Sequence, residues 1–89
     1  MEKAKLIVRN ISRKDNKTIL TVDSISEGKI KLYGVYDLAN KFNVRLNSFY
    51  NNDHTNNIYT HPILNLELEI QLIEDYKKIK INDILTPLL

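Results

Sequence analysis

The sequence predicts one small α+β domain over residues 1–89, mainly antiparallel sheet in the order β-β-β-α-β-β with one central helix. Three observations predict it. β-branched and leucine-rich runs near the N-terminus are separated by short polar turns, as hairpin-connected strands require. After Gly34 the apolar period changes from two towards 3.6. From Leu64 to Leu72 apolar and polar residues alternate strictly, the pattern of a strand buried on one face and wet on the other.

The first strand is read over residues 4–11 and the second over 18–25, joined by the polar turn Arg13 to Lys17. Ser26-Glu27-Gly28 turns the chain again. Residues 29–33 then alternate, with Ile30 and Leu32 on one face and Lys29, Lys31 and Tyr33 on the other. A three-stranded meander is the simplest arrangement. Val35, Leu38, Ala39 and Phe42 fall at i, i+3, i+4 and i+7, which predicts a helix beginning near Val35. Leu46 and Phe49 extend that stripe, so residues 44–50 are helix or loop. Residues 51–57 form an asparagine-rich loop. The alternating strand to Leu72 follows, then a turn at residues 74–77 and a last strand over 78–82. In that pairing Lys78 and Lys80 face Glu69 and Gln71 across the sheet. The expected core is Leu6, Val8, Leu20, Val22, Ile30, Leu32, Leu38, Phe42, Leu66, Leu68, Ile70, Ile79 and Ile81.

The tail, Ile84-Leu85-Thr86-Pro87-Leu88-Leu89, is too apolar for a free end. It packs back on the core or docks on a partner, a second copy of the chain included. Leu85, Leu88 and Leu89 are the candidate interface residues.

A chain of 89 residues buries roughly 60–65% of its unfolded surface, enough for one thin core. Its 43% hydrophobic and 27% charged content argues against disorder. With no cysteine, disulfides, thiolate zinc sites and thiol catalysis are excluded. No apolar run approaches the roughly 18 residues that span a bilayer, and the N-terminus lacks a signal-peptide core. The expectation is a cytoplasmic protein without a membrane role.

Enzymatic motifs are absent. Neither Gly28 nor Gly34 belongs to a phosphate-cradling loop. Asp53, His54 and His61 match no metal-ligand spacing, and a solvated loop explains them. Glu67 and Glu69 share a strand face, where such residues ordinarily meet lysines across the sheet. No cofactor or metal is implied, and the expectation is a binding protein rather than an enzyme.

Charge offers more. Residues 1–50 hold ten Lys/Arg against five acids, a net of +5, and residues 51–89 hold three Lys against six acids, a net of −3. A basic half attracts phosphates or an acidic protein, although lysines that only keep a small domain soluble explain a modest excess equally well. Five strands with a helix between the third and fourth resemble the order of an OB-fold, a partly open barrel. That resemblance implies single-strand binding by the strand 2–3 face through basic and aromatic side chains. It nominates Lys29, Lys31 and Tyr33, with Lys3, Lys5 and Arg9 on the first strand. Locally, residues 35–50 resemble a helix-turn-helix, with Leu38-Ala39, Phe42, Val44 and Phe49 at its small and apolar positions. That resemblance implies a recognition helix opened by Arg45, Asn47, Ser48 and Asn51, with Lys41 nearby. An amphipathic helix packed on a sheet explains the same stripe.

The expected function is therefore nucleic-acid binding through Lys5, Arg9, Lys29, Lys31, Tyr33, Lys41, Arg45 and Asn47. The alternative is a protein-binding inhibitor or adaptor of phage or mobile-element origin that caps a host protein in the manner of an anti-defence protein. Its exposed tyrosines, Tyr36, Tyr50, Tyr59 and Tyr76, and the leucine tail suit a protein interface. The abundance of Lys, Asn, Ile and Tyr (10, 11, 12 and 5) fits an AT-rich genome of that kind.

Overall fold

The computed structural model of the chain describes residues 4–31, 33–49, 58–60, 64–72 and 76–88, with only the backbone at 31, 49, 58–60 and 72. The described residues form eight strands: β1 (Leu6–Lys14), β2 (Lys17–Ser24), β3 (Lys29–Lys31), β4 (Val35–Leu38), β5 (Phe42–Phe49), β6 (Ile58–Thr60), β7 (Leu66–Leu72) and β8 (Ile84–Pro87). Six close into an antiparallel barrel in the order β1-β2-β7-β5-β4-β8, with β8 returning to β1. β4, β5 and β7 follow one another round the wall and β8 comes back beside β4, a Greek key. β3 and β6 form a separate two-stranded ribbon. A small barrel of this kind is compatible with the expected OB-like architecture, though it has six strands and is closed.

The α+β expectation is overturned, because no α-helix exists among the described residues. The predicted central helix is the β4–β5 hairpin. Leu38 pairs with Phe42, and Ala39-Asn40-Lys41 turns the chain. The stripe at i, i+3, i+4 and i+7 is ambiguous, since Leu38 and Phe42 four residues apart share a face in a helix and also in a strand. The burial resolves it: Tyr36, Leu38, Val44 and Leu46 are buried, while Val35, Asn43 and Arg45 are exposed. Valines and aromatics favour that pleated alternation, and the asparagines disfavour a helix. Ala39 and Asn40 occupy the left-handed region at φ of 53° and 60°, and the Asp37 carboxylate accepts the Asn40 N–H at 3.0 Å. The helix-turn-helix resemblance falls with the helix.

Two strand assignments also change. β3 pairs with β6 rather than β2, so there is no three-stranded meander; β2 instead pairs with β7. Residues 78–82 are not a strand: Tyr76–Lys78 is a 3-10 turn, and Asn82 is left-handed at φ 75°. The last strand is β8, formed by the apolar tail. It is held through Leu6↔Leu85 and Ile7↔Ile84 to β1 and through Tyr36↔Pro87 and Leu38↔Leu85 to β4.

Local chemistry explains the observed turns. β1 and β2 are joined by Asp15-Asn16, at φ of 51° and 65°, the two positive values of a type I′ hairpin that Asn and Asp tolerate. Bulges interrupt β1 between Val8 and Asn10 and β5 between Leu46 and Ser48. Arg9 and Asn47 are the extra residues, and a bulge re-aims the side chain it carries.

Of the expected core, Leu6, Val8, Leu20, Val22, Ile30, Leu38, Leu66, Leu68, Ile70 and Ile79 are buried together, with Phe42 packed against them. Ile81 is instead 49% exposed, and Leu32 lies outside the described residues. Ala4, Tyr36, Val44 and Leu46 join the core unforeseen, and Leu85 joins it from the tail, one of the two outcomes expected of that segment. The barrel has two ends. Ala4 and Ile30 lie at the end where the β3–β6 ribbon attaches, the ribbon end. Ile79, Tyr76 and Phe42 lie at the end of the β1–β2 and β4–β5 turns, the hairpin end. No described helix is long and apolar enough to cross a membrane.

Candidate nucleic-acid interface

Hydrogen bonds tie the N-terminal segment to the ribbon. The Ala4 N–H donates to the Lys29 carbonyl at 2.9 Å, the Lys5 N–H to Ser26 Oγ at 2.8 Å, and the Ile25 N–H to the Lys5 carbonyl at 2.9 Å. Lys5 is exposed and Lys29 half-buried, and Lys31 occupies the last position of β3. Tyr33 follows two residues later, so its Cα lies within about 7 Å of that of Lys31.

Tyr33 is the most unusual residue of this end. It is 63% exposed and sits in the left-handed region at φ 66°, where a bulky side chain costs on the order of 1 kcal/mol or more. Its N–H donates to the Leu46 carbonyl at 2.8 Å, and the Leu46 N–H donates to the Gly34 carbonyl at 3.0 Å. Gly34 is buried, because here the chain runs close against β5. These two bonds fix the backbone and leave the phenol ring on the surface.

Arg45, exposed on β5, stands with its guanidinium carbon 5.9 Å from the Tyr33 ring centre, at the limit of a cation–π contact. Its Nη2 donates to Gln71 Oε1 on β7. Val35, Asn43, Val44, Arg45 and Gln71 line a shallow groove of about 230 Å³ beside the stack. A ring with one arginine beside it and lysines along the adjoining strand can stack a base and neutralise the phosphates flanking it. Sequence reasoning passed over Gln71 and Gly34. The alternation from Leu64 to Leu72 already put Gln71 on the outer face, whereas nothing local marked Gly34 as a point of close approach.

Thus Arg45 stands beside Tyr33, which follows Lys29 and Lys31 of β3 in the chain, and Lys5 is tied to the turn before β3 through Ser26 and Ile25. The other nominated residues do not join them. Arg9 lies on the barrel wall, its Nε 3.6 Å from the Asp23 carboxylate. Asn47, at the β5 bulge, donates to Glu69 Oε2 at 3.4 Å, and Glu69 also accepts from Ser48 and lies 3.8 Å from Lys17. Lys41 belongs to the hairpin end, where its Nζ donates to the Lys78 carbonyl at 2.8 Å and to Asp83 Oδ2 at 3.0 Å. Its role there is to hold a turn.

Leu85 is fully buried inside the barrel, so its surface is used within the chain. Leu88 is half-buried, its N–H donating to the Val35 carbonyl at 3.0 Å, and Leu89 lies outside the described residues. Lys3, Asn51, Asp53, His54, His61, Tyr50 and the Tyr59 side chain also lie outside them. Among the described residues no group of three or more His, Cys, Asp or Glu could hold a metal. Tyr36, expected on the surface, is fully buried. Tyr76 is half-buried beneath Arg13, whose guanidinium carbon is 4.5 Å from the ring centre.

Comparison with protein-family models, with curated proteins and with solved structures finds no match to this chain.

Proposed function

We propose that this protein is a non-catalytic binder of single-stranded nucleic acid, which it engages at the ribbon end of the barrel. The observation that carries the reading is Tyr33: an exposed aromatic in a costly backbone conformation, with Arg45 beside the ring and Lys29 and Lys31 just before it in the chain. A base stacks on the open part of the ring, and Lys5, Lys29, Lys31 and Arg45 take up the backbone charge. Single strands suit the site because an unpaired base offers its face, whereas a duplex keeps that face inside the stack. The use of basic and aromatic side chains on a small barrel is the OB-like manner of binding.

Fluorescence anisotropy with labelled oligonucleotides of mixed sequence tests the reading. Affinity falls with salt, with a slope of about −0.7 for each phosphate neutralised on a single strand. Tyr33→Ala weakens binding by about 1–3 kcal/mol, and Tyr33→Phe retains it because the ring supplies the stacking. Lys29→Glu with Lys31→Glu flattens the salt dependence. No detectable binding of DNA or RNA at about 50 mM salt, where electrostatic binding is still strong, contradicts the reading and returns the protein to the class of protein-capping inhibitors.

A further inference from the structure

Hydrogen-bond donors outnumber acceptors on the outer face beside Tyr33. Val35 pairs with Arg45 and Arg45 with Gln71, so the three stand in one row across β4, β5 and β7, all exposed. With Asn43 and Val44 they line the groove of about 230 Å³. Neighbouring strands lie about 4.8 Å apart, so one base can reach two members of the row. Arginine carries donors only, and Arg45 Nη2 donates to Gln71 Oε1, which commits the acceptor end of that amide. The NH2 end is left over, and among the described residues nothing accepts from it. Arg45 and Gln71 therefore present a base with side-chain donors and no acceptor. Asn43, two residues before Arg45 on the same face, can turn either end of its amide outward and adds no bias. The flanking carboxylates have donors of their own: Asp37 takes the Asn40 N–H, and Glu69 takes Asn47 and Ser48.

We infer that the Tyr33 site takes guanine in preference to adenine, an inference that rests on the single-strand reading above. The two purines stack through faces of similar size, so the ring favours neither. Their edges differ. Guanine sets two acceptors side by side, O6 and N7, the pair that an arginine fork meets. Adenine sets a donor, N6, beside N7, and that edge matches an amide with one donor and one acceptor. Arg45 has already taken the Gln71 acceptor, so the adenine amino group meets donors alone. Gln71 is thus the specificity-determining residue, and Arg45 sets which end of its amide a base encounters. The site is open, and water satisfies an unmatched amino group. The discrimination therefore falls at the low end of what a paired base contact supplies, about fivefold.

The test uses DNA hexamers that carry a single base, guanine or adenine, on an otherwise abasic strand, together with a wholly abasic hexamer. Each is titrated against the full chain by competition anisotropy at about 50 mM salt. The guanine hexamer binds about fivefold more tightly than the adenine one. Replacing guanine by 7-deazaguanine, which lacks the N7 acceptor but keeps the fused rings, removes most of that difference. Hypoxanthine, which keeps O6 and N7, retains it. Gln71→Glu, shown by its melting curve to fold, puts an acceptor where the NH2 group stood and brings the guanine-to-adenine ratio to about one or below. Equal affinities for the two purine hexamers, both above the abasic strand, overturn the inference and leave the Tyr33 reading intact. An adenine preference overturns it as well, as does a guanine preference that 7-deazaguanine or Gln71→Glu leaves unchanged. Purine hexamers that bind no more tightly than the abasic strand remove the Tyr33 reading, and the inference with it.

Discussion

Two tyrosines three residues apart show how placement decides chemistry. Tyr33 precedes β4 and stands in water beside Arg45; Tyr36 is inside β4 and wholly buried. Among the described residues the Tyr36 hydroxyl has no hydrogen-bond partner, and burial pushes its pKa up from 10.0 to about 12. The cause is desolvation, which disfavours the phenolate. An unfolded phenol ionises near pH 10 while the folded one keeps its proton to about 12, so the stabilisation is complete below pH 10 and is lost as pH rises towards 12. The loss is about 1.4 kcal/mol per pH unit within that window. Tyr36→Phe removes this term. We expect the variant to be about as stable as the parent at pH 8 and more stable at pH 11, by urea unfolding at both values. Parallel decline of the two proteins above pH 10 would show that the phenol is not held neutral. Asn40, Asn65 and Asn82 make the complementary point: each sits at positive φ, where asparagine is tolerated, and each marks a turn or strand start.

At the scale of elements, β8 is the strand on which closure depends. It has four residues, yet it links β1 to β4 and places Leu85 against Leu6 and Leu38. Leu85→Ala removes a fully buried side chain at this seam and should cost about 2–5 kcal/mol, a large part of the roughly 5–10 kcal/mol expected of so small a domain. A urea midpoint that moves by the equivalent of less than about 1 kcal/mol would show that the seam is not part of the cooperative unit. The apolar tail was legible in sequence as a segment requiring burial, because its composition alone demands it; its partner strands were not, since pairing across more than seventy residues leaves no local trace. The strands Leu6–Lys14, Lys17–Ser24 and Leu66–Leu72 were legible for the same local reason, alternation or β-branched runs bounded by turns. The β4–β5 hairpin reads as a helix in sequence because its turn falls where Leu38 and Phe42 satisfy both periods at once. At the site, Tyr33, Lys29 and Lys31 were legible as sequence neighbours on one alternating strand. Arg45 was nominated for a recognition helix that does not exist, and β5 brings it to Tyr33 by a different route.

Across the whole molecule, whose net charge is +2 and whose longest dimension is 30 Å, acids and bases meet round the barrel, Asp23 with Arg9, Glu69 with Lys17 and Asp83 with Lys41. At about 0.15 M salt the screening length is about 8 Å, so exposed charges at one end act only weakly on the other. The proposed single-strand site rests on the exposed Tyr33 ring beside Arg45. Titration of the isotope-labelled protein with an unlabelled oligothymidylate, followed by amide and side-chain NMR shifts, tests this assignment most directly. The account predicts that the Tyr33 ring protons move upfield as a base stacks on them, with shifts at Lys29, Lys31, Gly34 and Arg45 and little change at Lys14 or Lys80. Saturable binding that leaves Tyr33 unshifted, or that maps to the hairpin end alone, would contradict it.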